Sequence, residues 1–143
     1  MIKLKETVRL YHLSPYNLDG KVIFPSIPDN FFTENGYEDN ITKRVCFTEY
    51  IEGCLRGLSQ NLKGREYYVH IPQGSYEVYE PSVKEVPDAE VTGELWICQP
   101  VLLKCVGRIR VIKDTGEDGI PFRYGDNTAE LYDWEYERLN RFN

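Results

Sequence analysis

Apolar and polar residues alternate in part through Val8-Arg9-Leu10-Tyr11-His12-Leu13, and Ser14-Pro15 ends the run because proline has no amide to give a ladder. A first strand is predicted there. From position 16 to 43 the chain is rich in Pro, Gly, Asn and Asp, with only Lys21-Val22-Ile23-Phe24 able to form a short strand. The aromatics Phe24, Phe31, Phe32 and Tyr37 favour a packed loop over a disordered one. Arg44-Val45-Cys46-Phe47-Thr48 reads as a second core strand. Ile51, Cys54, Leu55, Leu58 and Leu62 then recur at three- and four-residue steps. They predict a helix capped by Thr48, acidic at Glu49 and Glu52, and ending near Asn61.

Four more strands are expected, at Glu66 to Ile71, Ser75 to Tyr79, Glu94 to Cys98 and Val101 to Lys113. In the last, Arg108 and Arg110 alternate with Ile109 and Val111, as on a half-exposed strand. An acidic loop fills positions 82 to 93. A final helix is predicted from Asn127 or Thr128, with Leu131, Trp134, Leu139 and Phe142 on one side. The order of elements predicts one α+β domain over residues 1–143, built around a bent or split sheet with a helix after the second core strand and a C-terminal helix.

Composition narrows the function classes. The 143 residues are 41% hydrophobic and 28% charged, as in an ordinary globular chain, with no apolar run of about 18 residues that could span a bilayer. Charges at Lys3, Lys5 and Glu6 occupy the place of a signal peptide's apolar stretch, so a cytoplasmic location and no membrane partner are expected. A net charge of −6 argues against general nucleic-acid binding, which needs a basic surface. Cys46, Cys54, Cys98 and Cys105 lack C-x-x-C spacing and read as structural thiols, and the two histidines do not lie at zinc-ligand spacing from them. Eleven tyrosines suit both half-buried strands and stacking on bases or nicotinamide.

Four segments, in order, resemble the small ADP-ribosyltransferases, especially the rifampin ADP-ribosyltransferase group. Leu10-Tyr11-His12-Leu13-Ser14 is similar to that family's first strand ending in Tyr-His-Gly-Thr. Val45-Cys46-Phe47-Thr48 with its following helix is similar to a strand ending in Tyr-Phe-Thr. Tyr67-Tyr68-Val69-His70-Ile71-Pro72 with Tyr76 to Pro81, and Pro100 to Ile109, resemble the later strands. The resemblance covers positions 10 to 112. Leu13 stands where the family has glycine and Cys46 where it has tyrosine.

The resemblance implies NAD, or a related ADP-ribose-containing nucleotide, as ligand, and a reaction through an oxocarbenium-like ribose that needs a carboxylate to stabilise developing charge. His12 and Ser14 would hold the ribose hydroxyls, and Tyr50 would replace the missing stacking ring. Tyr11, Phe47 and Thr48 would complete the nucleotide site. The carboxylate is Glu94, which begins a strand, or Glu85 in the acidic loop, with Glu94 preferred. Arg44 is the first candidate for the diphosphate, ahead of Arg108, Arg110 and Arg123. His70 has no motif around it and reads as structural. The expected function is NAD-dependent mono-ADP-ribosyl transfer to a small molecule or a host protein. The alternative is a non-catalytic protein that sequesters an NAD- or ADP-ribose-derived signal, as in phage counter-defence.

Overall fold

The computed structural model describes residues 3–5, 9–27, 32–33, 36–37, 42–56, 58, 62–82, 93–114 and 134–139. Along the chain these form β1 (Lys3–Lys5), β2 (His12–Ser14), β3 (Val22–Ile23), β4 (Phe32–Thr33), β5 (Gly36–Tyr37), β6 (Val45–Phe47) and α1 (Ile51–Arg56). After the helix come β7 (Glu66–Pro72), β8 (Val78–Glu80), β9 (Leu95–Ile97), β10 (Val101–Asp114) and β11 (Trp134–Arg138). One antiparallel sheet has the order β1-β8-β9-β6. A second runs β11-β10-β7-β2, with β3 attached to β10, and β4 pairs with β5 separately.

Two apolar layers follow from the period-two patterning of the strands. On one face of the second sheet, Tyr67, Val69, Val106, Ile109 and Val111 pack with Ile51, Leu55 and Leu62 from α1 and the chain beyond it. In the other cluster, Val45, Phe47, Val78, Leu95 and Ile97 of the first sheet meet Val101 and Leu103 at the start of β10. Leu55 and Leu103 are fully buried, each contributing about 1.5–3 kcal/mol by leaving water. One strand can serve both layers because β10 carries a bulge. Cys105 pairs with His70 and Gly107 with Val69, so Val106 is an extra residue and the facing of the strand reverses there.

The expected α+β domain with a C-terminal helix is corrected to a mostly β fold, in which strands make up 51% and helix 6% of the described residues. Residues 134–138, placed on the final helix by the spacing of Leu131, Trp134, Leu139 and Phe142, form a strand against β10. Two acids, Glu135 and Glu137, alternate with Trp134, Tyr136 and Arg138, and that two-residue period matches an edge strand whose Glu137 meets Arg110. Leu131 and Phe142 lie outside the described residues. The first helix is also shorter than its apolar spacing predicts, spanning six residues. Gly53 lies inside that span and Gly57 just beyond it, where glycine lowers helix stability by about 1 kcal/mol each. Thr48 does not act as the expected cap, because its hydroxyl donates to the Tyr50 carbonyl at 2.5 Å. Among the described residues no helix is long and apolar enough to cross a membrane.

Candidate functional site

The two sheets touch where β2 begins. Tyr11 N donates to Thr48 O at 2.7 Å and Thr48 N to Tyr11 O at 3.1 Å, an antiparallel bridge just before β2 turns away to pair with β7. In the gap left by that divergence lies the His12 ring. Its Nδ1 is 3.1 Å from the Cys46 carbonyl and its centroid is 5.7 Å from the Phe47 ring. A carbonyl only accepts, so Nδ1 carries the proton and Nε2 keeps its lone pair. Burial lowers the His12 pKa below its ordinary 6.5, against the pull of the Cys46 bond, and the ring is neutral at pH 7.

Cys46 also meets Glu94, by its thiol. Burial pushes that thiol well above its usual 9.0, the neighbouring Glu94 carboxylate pushes it further, and Arg44 opposes both. His12 and Glu94 thus approach one residue from its carbonyl and its side chain. Arg44, however, is buried. Its guanidinium stacks 4.1 Å above the Trp96 ring and donates to Thr42 O at 2.9 Å, which places it on the outer face of the first sheet.

A cleft of about 490 Å³ opens on the opposite face of β2, lined by Arg9, Tyr11, Glu49, Tyr50, Ile51, Glu52, Tyr136 and Arg138. Arg9 Nη1 donates to the Tyr11 hydroxyl at 3.1 Å, fixing both groups on one wall. Tyr50 is 73% exposed and presents its ring at the rim. Beneath it the Thr48 hydroxyl binds the Tyr50 carbonyl and contacts Cys54 Sγ at 3.1 Å, while that thiol reaches Tyr11 O at 3.4 Å. Burial pushes the Cys54 thiol up to about 11, so it stays protonated.

The residues singled out by sequence therefore do not converge on one place. Tyr11 and Tyr50 line the cleft. His12 lies at the sheet junction with Phe47, which is core, and Glu94 lies beyond Cys46. Thr48 supports the turn, and the Ser14 hydroxyl accepts the Tyr16 amide at 3.1 Å, closing the end of β2. Glu85 and Arg123 lie outside the described residues. Arg108 and Arg110 form an exposed ladder with Glu66 and Glu137. His70 is fully buried and binds backbone on both nitrogens.

Sequence reasoning passed over Arg9, Ile51, Tyr136 and Arg138, and assigned Glu49 and Glu52 only to a helical turn. The signal was present in part: Arg9 and Tyr11, like Tyr136 and Arg138, are two residues apart on strand-like segments and share a face. Comparison with protein-family models, with curated proteins and with solved structures found no match, so the geometry alone carries the functional reading.

Proposed function

We propose that this chain binds an ADP-ribose-containing nucleotide, NAD being the type, in the cleft beside Tyr11 and Tyr50. The observation that carries the reading is the composition of that cleft. Three tyrosines offer faces for a base, Arg9 and Arg138 offer forked donors for a diphosphate, and Glu49 and Glu52 offer acceptors for ribose hydroxyls. Its volume falls in the range of small-molecule sites, about 300–1,000 Å³. Holding the nucleotide, rather than cleaving it, is the first reading, because His12 and Glu94 do not line the cleft.

ADP-ribosyl transfer is the second reading, favoured by His12 and Glu94 each adjoining Cys46, one at its carbonyl and the other at its thiol. In that reading a neutral histidine would accept from a ribose hydroxyl, and a carboxylate would face the developing positive charge. It also agrees with the resemblance to the small ADP-ribosyltransferases. Titration calorimetry with NAD and ADP-ribose, run beside an assay of nicotinamide release, separates the two. Binding without release supports a sequestering protein, whereas release that is lost in Glu94→Gln or Glu85→Gln supports the transferase and names its carboxylate. Absence of binding to both nucleotides overturns the nucleotide reading.

A further inference from the structure

After β2 the chain folds back across the second sheet, and a buried imidazole is one of its fastenings there. His70 Nε2 accepts the Leu18 amide at 2.9 Å. A ring nitrogen that accepts carries no proton, so the single proton of the neutral ring is on Nδ1, 3.3 Å from the His12 carbonyl. The same turn is held from β10 by Cys105 N to Asp19 Oδ1 at 2.8 Å and by Gly20 N to Leu103 O at 2.9 Å. His70 itself has no exposed surface.

We infer that His70 is an acid-operated latch: a proton added to Nε2 turns the acceptor of the Leu18 amide into a donor and releases that amide while the sheet, and the bonds of Asp19 and Gly20 to β10, stay in place. Two donors cannot share one bond, and the cationic ring gains no replacement acceptor while it remains covered. The groups around it set the direction. From β2 the His12 ring, 6.3 Å away between centroids, disfavours a second positive charge, and from the turn the Asp19 carboxylate favours it. From β10, Cys105 directs its thiol to the Gly107 carbonyl, and along β7 the same face carries Tyr68 beneath Arg108. Burial is the largest influence and holds His70 below its ordinary 6.5, so the latch is closed at pH 7. The device does not depend on the nucleotide cleft, which opens on the other face of β2.

Amide hydrogen exchange on the full chain from pH 8 to 5, read as protection factors, tests it. Protection of Leu18 should fall about tenfold per pH unit below 6.5 until the lowered pKa is passed. The Val111 amide, bonded to Arg65 O, should hold its protection. His70→Gln, which offers an acceptor and a donor but no titration, should flatten the Leu18 profile. Asp19→Asn, which keeps the acceptor for Cys105 N and loses the charge, should move it to lower pH. Nitrogen NMR of the wild-type ring should place the proton on Nδ1 at pH 8, a reading that needs no variant to fold. Leu18 protection independent of pH, Val111 protection falling in step with it, or a proton on Nε2 would each overturn the latch.

Discussion

Replacing Tyr50 with Ala removes one aromatic face from the cleft and little else. The side chain is 73% exposed, and the hydrogen bond beneath it uses the Tyr50 main-chain carbonyl, which alanine keeps. Stability should therefore change by no more than about 0.5 kcal/mol, the usual range for an exposed site. A base stacked on an aromatic ring contributes about 1–3 kcal/mol, which corresponds to a Kd raised about 5- to 150-fold. Calorimetric titration with ADP-ribose gives that ratio, and titration with ribose 5-phosphate, which has no base, gives the control. The loss should appear for ADP-ribose and vanish for ribose 5-phosphate. An ADP-ribose Kd within about twofold of the parent, in a variant that unfolds at the same temperature, would refute base stacking at Tyr50. An equal loss for both ligands would instead assign Tyr50 to the ribose or phosphate.

Three further outcomes follow from the geometry. Trp96 Nε1 is buried without a hydrogen-bond partner among the described residues, so Trp96→Phe relieves a desolvated donor worth about 1–3 kcal/mol while losing ring volume and part of the Arg44 stack. It should be near neutral in urea unfolding, against a loss of about 3–5 kcal/mol for Trp96→Ala; equal losses would contradict the orphaned donor. His12→Asn keeps an N–H for the Cys46 carbonyl and His12→Leu does not, so the leucine variant should be the less stable by about 1–2 kcal/mol in the same assay. With a disulfide reagent at pH 8, the exposed Cys98 should react in a fast phase that Cys98→Ser abolishes, while the raised thiols of Cys46 and Cys54 lag.

Much of the β framework was legible in the chain because strand patterning is local. Glu66 to Ile71 is rich in β-forming residues, Arg108 to Val111 alternates, and prolines 15, 72 and 81 lie at or just beyond strand ends. The C-terminal segment was misread because Leu131, Trp134 and Leu139 mimic a helical stripe, while the shorter alternation from Trp134 to Arg138 is decided by its partner strand, a non-local fact. The site was legible only in pieces. Tyr11 and His12 fall where β2 begins and not near the end of the strand expected from Val8 to Leu13, and the period of two that identifies a strand also sends their side chains to opposite faces. The burial of Arg44 was hidden for a different reason: a guanidinium at a strand end ordinarily reaches water, and only the pairing of Cys46 with Trp96 brings the indole beneath it.

The extra residue in β10 gives that strand an unusual vulnerability. Ahead of it Val101 and Leu103 face inward with His70; behind it Ile109 and Val111 face the helix, and Arg108 and Arg110 face water. Exchange of one apolar side chain for another leaves this division intact. Removal of Val106 would instead rotate the second half by one place, driving two arginines into the helix-facing core and two aliphatic residues into solvent. Between Cys105 and Gly107 the chain should therefore accept changes of residue identity far more readily than a change in residue number, and natural insertions or deletions should collect in the connections rather than in this strand.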